Sequence, residues 1–218
     1  MPDQRKLQRE PSEPVVFIVD DDLSMREALV DLFRSMKFDA QAFESATALM
    51  EVASFNRPGC IVLDVRLPGL SGLDFQTQLE RLGSKMPIVF MTGFGDIPMS
   101  VRAMKAGAVD FLTKPFKDQD ILDAVAAAME HDAARRRQHA QSEAIALLAE
   151  HLTPREREVM KAVVTGLMNK QIAHELGISE VTVKLHRGNV MRKMEVRSVA
   201  ELVRKAEILG ESIRPPVS

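Results

Sequence analysis

Five polar side chains recur at one kind of place along the first half of the chain. Asp20 and Asp21 follow the run Val15-Val16-Phe17-Ile18-Val19, and Asp64 follows Cys60-Ile61-Val62-Leu63. Thr92 follows Ile88-Val89-Phe90-Met91, and Lys114 comes just after Val109-Asp110-Phe111-Leu112. Each run is short, apolar and rich in β-branched residues, as a strand buried on both faces would be. Three carboxylates brought close together cannot all stay ionised unless a cation joins them, and hard oxygen ligands select Mg²⁺. Lys114 would add a fixed positive charge and Thr92 a hydroxyl donor. The set holds no His or Cys to act as base or nucleophile, but a carboxylate within it could carry a phosphoryl group.

The elements between these residues decide whether they meet. After Asp64, Pro68-Gly69 and Gly72 turn the chain into a helix over Leu73–Leu82. Helical spacing also marks Ser24–Phe33, Ala46–Ala53 and a stretch around Met99–Lys105, and Phe38–Phe43 reads as another strand. Five strands alternating with five helices predict an α/β domain, a doubly wound five-stranded parallel sheet of the flavodoxin-like kind. Right-handed crossovers would then carry all five polar residues to the carboxyl edge of the sheet, where open α/β folds bind ligands. Capping is the plainer role for any one Asp after a strand, and Asp22 and Ser24 are read as caps of the first helix. Five polar residues in order, each at a strand end, exceed what capping explains.

At these motifs the chain resembles a response-regulator receiver domain over residues 15–130. The matching text is Val19-Asp20-Asp21, Leu63-Asp64 with Pro68-Gly69 and Gly72, Met91-Thr92-Gly93, and Phe111-Leu112-Thr113-Lys114-Pro115-Phe116. The resemblance implies that Asp64 is the phosphoacceptor for a sensor histidine kinase. It further implies that Asp21, Asp64 and the Arg66 backbone carbonyl ligate Mg²⁺, with Asp20 helping through water. Thr92 and Lys114 would bind the phosphoryl oxygens, Phe111 would be the switching aromatic, and Lys114-Pro115 would be a cis bond.

Composition sets the surroundings. No apolar run is long enough for a membrane span, and the polar stretch Met1 to Pro14 reads as a disordered leader rather than a signal peptide. The single cysteine, Cys60, lies inside a strand, so neither a disulfide framework nor a cysteine zinc site is available, and a reducing cytoplasm is the expected home. Residues 11–130 carry 11 Lys and Arg against 18 Asp and Glu, a balance of −7; residues 151–214 carry 12 against 8, a balance of +4. An acidic module joined to a basic one suggests two different partners. No helix breaker stands between Lys117 and Ala149, so the last receiver helix is expected to run on through a helical linker over 131–150. Arg135-Arg136-Arg137 within it are read as a solvated face.

The C-terminal part, 151–214, reads as a small all-α domain. Thr153-Pro154-Arg155-Glu156 is a capping box with proline at the first helical position. That helix is expected to end at Gly166; Asn169 is expected to cap Lys170–Leu176. Gly177 turns the chain and Ser179 caps a helix from Glu180 to about Met194. Two helices joined by a short glycine-containing turn are a helix-turn-helix, whose second member usually enters the DNA major groove. Val183, Val190 and Met194 should pack inward, while Lys184, Gly188 and Arg192 repeat every four residues on another face. The last helix, Ser198–Leu209, carries Val199, Leu202, Val203, Ala206 and Leu209; its residues read as core, with part of it a dimer surface by the resemblance given below.

Residues 152–210 also resemble the LuxR-type DNA-binding domain, through Leu152-Thr153-Pro154-Arg155-Glu156, Asn169-Lys170-Gln171-Ile172-Ala173, Leu176-Gly177-Ile178-Ser179 and Thr182-Val183-Lys184-Leu185-His186. Together the two resemblances imply a NarL/FixJ-class response regulator. By resemblance Lys184, Leu185 and the Gly188 position face base edges, while Thr182, Arg187 and Arg192 serve phosphates. Gly188 departs from relatives that place a long polar side chain there. The expected partners are the sensor kinase, double-stranded promoter DNA, a second copy of the chain when phosphorylated, and RNA polymerase as a further candidate; no membrane is involved.

The energetics allow such a switch. Two charge-assisted hydrogen bonds to a phosphoryl group, from Thr92 and Lys114, contribute roughly 3–6 kcal/mol. Moving an equilibrium from 1:99 to 99:1 takes about 5.5 kcal/mol, so coupling to dimerisation would help. Arg102, Lys105 and Asp110 are candidates for a charged dimer seam or for a solvated face. Two other readings compete: a Mg²⁺-dependent phosphatase turning over at Asp64, and a regulator that binds DNA without phosphorylation. Against the first, Arg66 stands two residues after Asp64, where an acid/base carboxylate would be needed.

Overall fold

The computed structural model describes residues 13–93 and 97–210. The expected leader, Met1 to Pro14, lies almost wholly outside these residues, as does the end of the C-terminal domain beyond 210. Among the described residues the chain forms two compact units, divided at Arg135 and Arg136.

The first unit alternates strictly: β1 (Val15–Val19), α1 (Leu23–Ser35), β2 (Asp39–Phe43), α2 (Ala46–Val52), β3 (Gly59–Asp64), α3 (Gly72–Arg81), β4 (Ile88–Thr92), α4 (Ile97–Lys105) and β5 (Asp110–Thr113). The helix α5 follows over Asp118–Glu150. The strands pair in parallel in the order β2-β1-β3-β4-β5, the predicted doubly wound arrangement. β1, β3 and β4 are buried along their whole length, because helices cover both faces of the sheet. One face packs Phe17, Ile61, Leu63, Phe75 and Phe90 together, and the other packs Ile18, Phe33, Val62, Met91 and Ile121. The order reverses between β1 and β3, so the ends of these two strands frame the crevice where such sheets bind ligands.

The second unit is helical: α6 (Pro154–Val164), α7 (Asn169–Leu176), α8 (Glu180–Lys193) and α9 (Val199–Ile208), with the end of α5 packed beside them. Its core gathers Met160, Ile172, Val183, Val190, Met194, Leu202 and Ala206 with Ile145 and Ala149 of α5. The linker therefore continues α5 without a break, as the absence of helix breakers required. Among the described residues, no helix is long and apolar enough to cross a membrane.

Two local expectations need correction. Ser24 is not a cap: Asp22 is, its carboxylate accepting from the Ser24 and Met25 N–H groups at 2.8 and 3.4 Å. Asn169 does not cap α7 either. Met168 holds the N-cap position, and Gln171 reaches back to accept from its N–H at 2.8 Å. The Asn169 Oδ1 is taken by Arg187 of α8 at 2.6 Å, so a tertiary contact outcompetes the local one.

Candidate functional site

The parallel register places Val19 beside Leu63, so the residues following β1 and ending β3 emerge together. Carboxylate oxygens of Asp20, Asp21 and Asp64 lie within 4.8 Å of one another. Asp20 is wholly buried and Asp64 nearly so, while Asp21 is exposed beside them. An open cleft of about 710 Å³ adjoins the cluster, lined by Asp21, Arg66, Asp74, Met99 and Arg102 among others.

Lys114 reaches this cluster from the loop after β5. Its Nζ donates to Asp20 Oδ2 and Asp64 Oδ2, each at 2.5 Å. Lys114 is held there by its own backbone, whose N–H donates to the Thr92 carbonyl at 2.7 Å, and it precedes a cis Lys114-Pro115 bond. Burial pushes the Asp20 carboxyl above its ordinary range, although the bond from Lys114 and the Asp22 N–H pull the other way. Burial also disfavours the Lys114 ammonium, but its two carboxylate bonds outweigh this and its pKa is raised. The site is thus an anionic cluster holding one internal cation, and that cation touches both buried acids.

Each remaining residue has a visible means of support. The Arg66 N–H donates to Asp64 Oδ1 at 2.8 Å and fixes the carboxylate's rotation. Thr92 ends β4 and is fully buried; Phe111 lies on β5, half-buried, its ring centroid 6.3 Å from that of Phe90. Gly72 begins α3 directly against the site. A Cβ there would stand 2.5 Å from the Asp64 carbonyl oxygen and 3.1 Å from Phe90, so only glycine lets the helix pack so near the strand. Sequence reasoning missed Arg26, whose guanidinium donates to the Asp20 carbonyl at 2.7 Å. Its only signal was an arginine one turn into α1.

In the second unit, α6 begins with the expected capping box: the Glu156 N–H donates to Thr153 Oγ1 and the Thr153 N–H to Glu156 Oε2, at 3.2 and 2.9 Å. Glu156 is buried and also accepts from Lys193 Nζ at 2.6 Å. Burial works against its carboxylate, yet the bonds from Lys193 and Thr153 prevail and its pKa is lowered. Lys193 further donates to the His151 carbonyl at 3.0 Å, so this basic residue of α8 is structural. Gly177, at φ +63°, makes the left-handed turn between α7 and α8. On α8, Val183, Val190 and Met194 face the core, while Lys184, Leu185, Gly188 and Arg192 are exposed. Thr182 shares a hydrogen bond with Ser179 Oγ at 2.8 Å, and Arg187 is tied to Asn169, so neither is as open as Lys184 or Arg192.

Residues 16–126 match the response regulator receiver domain, and residues 150–206 match the bacterial regulatory proteins of the luxR family. Nodulation protein W of Bradyrhizobium diazoefficiens is 56% identical over 201 residues, covering 92% of this chain and 88% of that protein. The chain is a NarL/FixJ-family response regulator. Among solved structures, the response regulator StyR is 49% identical with a TM-score of 0.79, covering 90% of this chain and 99% of StyR. Full-length FixJ from B. japonicum is 40% identical with a TM-score of 0.55, covering 91% of this chain and 98% of that one. A receiver joined to a LuxR-type DNA-binding domain makes the chain a transcription regulator, not an enzyme in its own right.

Proposed function

We propose that this response regulator takes a phosphoryl group on Asp64 from a sensor histidine kinase, then pairs with a second copy on promoter DNA. The observation that carries the proposal is the position of Lys114, bonded at once to Asp20 and Asp64 at the β1/β3 crevice. It sets the Asp64 carboxylate next to a cation that can move to an incoming phosphoryl oxygen.

The donor set fits Mg²⁺, because three carboxylates within 4.8 Å offer hard oxygens to a small divalent ion. Asp21, Asp64 and the Arg66 carbonyl would hold it, with Asp20 supporting through water, and the ion would neutralise phosphoryl charge. Arg66 orients Asp64 through its N–H. Lys114 balances charge, and Thr92 supplies a hydroxyl from the end of the neighbouring strand. Phe111, resting against Phe90, would follow Thr92 when that side chain moves. The dimer seam is assigned to Arg102 and Lys105 of α4 with Asp110 of β5.

On the DNA side, α8 presents Lys184, Leu185 and Gly188 to base edges, with Arg192, Thr182 and Arg187 toward phosphates. Thr182 and Arg187 hold intramolecular hydrogen bonds that would be shared with or exchanged for the phosphate. The test is a DNA mobility shift of the full chain with Mg²⁺, with and without a small phosphodonor. The donor should tighten binding in the wild type and leave Asp64→Asn unchanged. Equal response by Asp64→Asn would remove the assignment.

A further inference from the structure

The receiver has a second cavity at the edge of the sheet opposite the acidic crevice. It lies among the end of α3, the turn into β4, the turn into β5 and the middle of α5, wholly within the first unit. Its volume is about 240 Å³, and none of the residues assigned to the phosphoryl site lines it. Leu79, Met86 and Ile88, each at most 5% exposed, give it an apolar lining. Two polar side chains share that lining, and each is only partly used. Gln76 is 6% exposed; its Nε2 donates to the Ala106 carbonyl at 2.8 Å, which fixes the amide, and its Oε1 is buried. Arg135 pairs through a terminal nitrogen with the buried Asp132, and its Nε is buried as well. Among the described residues neither Gln76 Oε1 nor Arg135 Nε has a hydrogen-bond partner. A buried acceptor and a buried donor left unmet are a standing cost to the fold.

Water is the plainest occupant, and size argues against it. At about 30 Å³ each, roughly eight waters would fill 240 Å³, and the apolar lining would give most of them nothing to bond. The same volume falls below the roughly 300–1,000 Å³ of sites for drug-sized molecules, so the occupant is smaller than those. Charge narrows its chemistry. Lys85 and Arg135 face Glu80 alone among the acids of the lining, and His131 adds no negative charge in either protonation state. The balance favours an anion, and a carboxylate suits the Arg135 donor. Gln76 Oε1 needs a donor in return. An ammonium there would meet Lys85 and Arg135, whereas a hydroxyl carries no charge.

We propose that this cavity binds a small hydroxycarboxylate, its carboxylate held by Arg135 Nε and Lys85, its hydroxyl donating to Gln76 Oε1, and its short hydrocarbon body against Leu79, Met86 and Ile88. The receiver then takes a non-covalent input at the edge opposite Asp64, independent of phosphorylation. The bound anion touches Arg135, and the partner of Arg135, Asp132, accepts from the Gly59 N–H at 3.1 Å. Gly59 opens β3, the strand that ends in Asp64.

The test titrates the full chain, without phosphodonor or metal, with L-lactate and L-malate and with their deoxy counterparts, propionate and succinate. Calorimetry gives affinity, and amide and guanidinium ¹H–¹⁵N spectra give location. At least one hydroxy acid should bind saturably, one per chain, and about five- to tenfold tighter than its deoxy counterpart, the factor that one hydrogen bond supplies. The Gln76 side-chain amide and the Arg135 Nε–H signals should move, while the Arg66 and Lys114 backbone amides beside the acidic crevice stay in place. Gln76→Met should erase the preference for the hydroxyl and keep the weaker carboxylate binding. Arg135→Lys, which retains a cation facing Asp132, should weaken every acid that binds by about tenfold. If either variant fails to fold, the wild-type affinities and spectra decide alone. Absence of saturable binding by all four acids overturns the inference, and so does equal affinity for the hydroxy and deoxy members of each pair. Movement at Lys114 with Gln76 unmoved also overturns it, because the acids would then be answering the cation of the acidic crevice.

Discussion

Replacing Lys114 with methionine removes the cation that touches both buried acids, and the cost can be bounded. Lys114 Nζ makes two hydrogen bonds of 2.5 Å to carboxylates, and its side chain is 17% exposed. At about 1.5–3 kcal/mol for each bond to a charged group, their loss would cost roughly 3–6 kcal/mol. The cluster has an escape, however, because one carboxylate can take up a proton. At pH 7, protonating a carboxylate with an ordinary pKa near 3.9 costs about 4 kcal/mol; at pH 5 it costs about 1.5 kcal/mol. Lys114→Met should therefore destabilise the receiver by about 3–4 kcal/mol at pH 7, and by about 1.5 kcal/mol at pH 5. The sign follows from Asp20, whose pKa is already raised by burial. A raised carboxyl binds more protons folded than unfolded, so stability falls as pH rises through its folded pKa. Removing Lys114 widens that window upward. Urea unfolding followed by circular dichroism suits a chain with no Trp and no Tyr. Mg²⁺ at ten times its dissociation constant should add about 1.4 kcal/mol to the wild type. It should add more to the variant, where no lysine competes for the carboxylates. Equal destabilisation at pH 5 and pH 7 would mean that the loss comes from packing rather than charge.

Three further outcomes are expected. Gly72→Ala should cost about 1–3 kcal/mol and slow phosphorylation, since its Cβ would press on the Asp64 carbonyl; thermal unfolding and the rate of labelling by a small phosphodonor check both. Lys193→Met should destabilise the DNA-binding unit by about 3 kcal/mol by leaving the buried Glu156 carboxylate without its counter-charge, held by the Thr153 N–H. Because the Glu156 pKa is lowered in the fold, the wild-type contribution is present above the unfolded value and lost as pH falls through the folded one, so the two proteins should converge in acid urea titrations. Arg192→Ala should weaken binding to all DNA sequences and flatten the salt dependence by about one unit, whereas Lys184→Ala should also relax sequence preference, as measured by mobility shifts across salt concentrations.

The sheet and its acidic edge were legible because they depend on local pattern. Buried parallel strands need continuous apolar runs, and the polar residue ending each run had nowhere to go but the crevice. The C-terminal helices were legible for the same reason: the Thr153 and Ser179 caps and the Gly177 turn are local signals. What escaped were side chains whose partners lie far along the chain. Asp132, on the continuous helix α5, is buried and accepts from the Gly59 N–H at 3.1 Å, at the start of β3. Arg135, read as part of a solvated face, pairs with it. Arg187 and Asn169 find each other between α8 and α7, which overrode an apparently good cap. Lys193, at the end of α8, neutralises a buried glutamate 37 residues earlier in the chain. Apart from the i, i+3 pair of Asp132 and Arg135, no spacing rule reports these contacts, since only the folded chain brings the partners near.

Everything proposed for the receiver depends on a metal-assisted acidic crevice that lets Asp64 carry a phosphoryl group. Intact-mass measurement of the full chain after exposure to a small phosphodonor, with the site located by reductive trapping and peptide mapping, tests it most directly. With Mg²⁺ the wild type should gain one phosphoryl group, on Asp64, and gain far less when the ion is chelated. A folded protein that stays unmodified with Mg²⁺ present, or that carries the label on another residue, would contradict it.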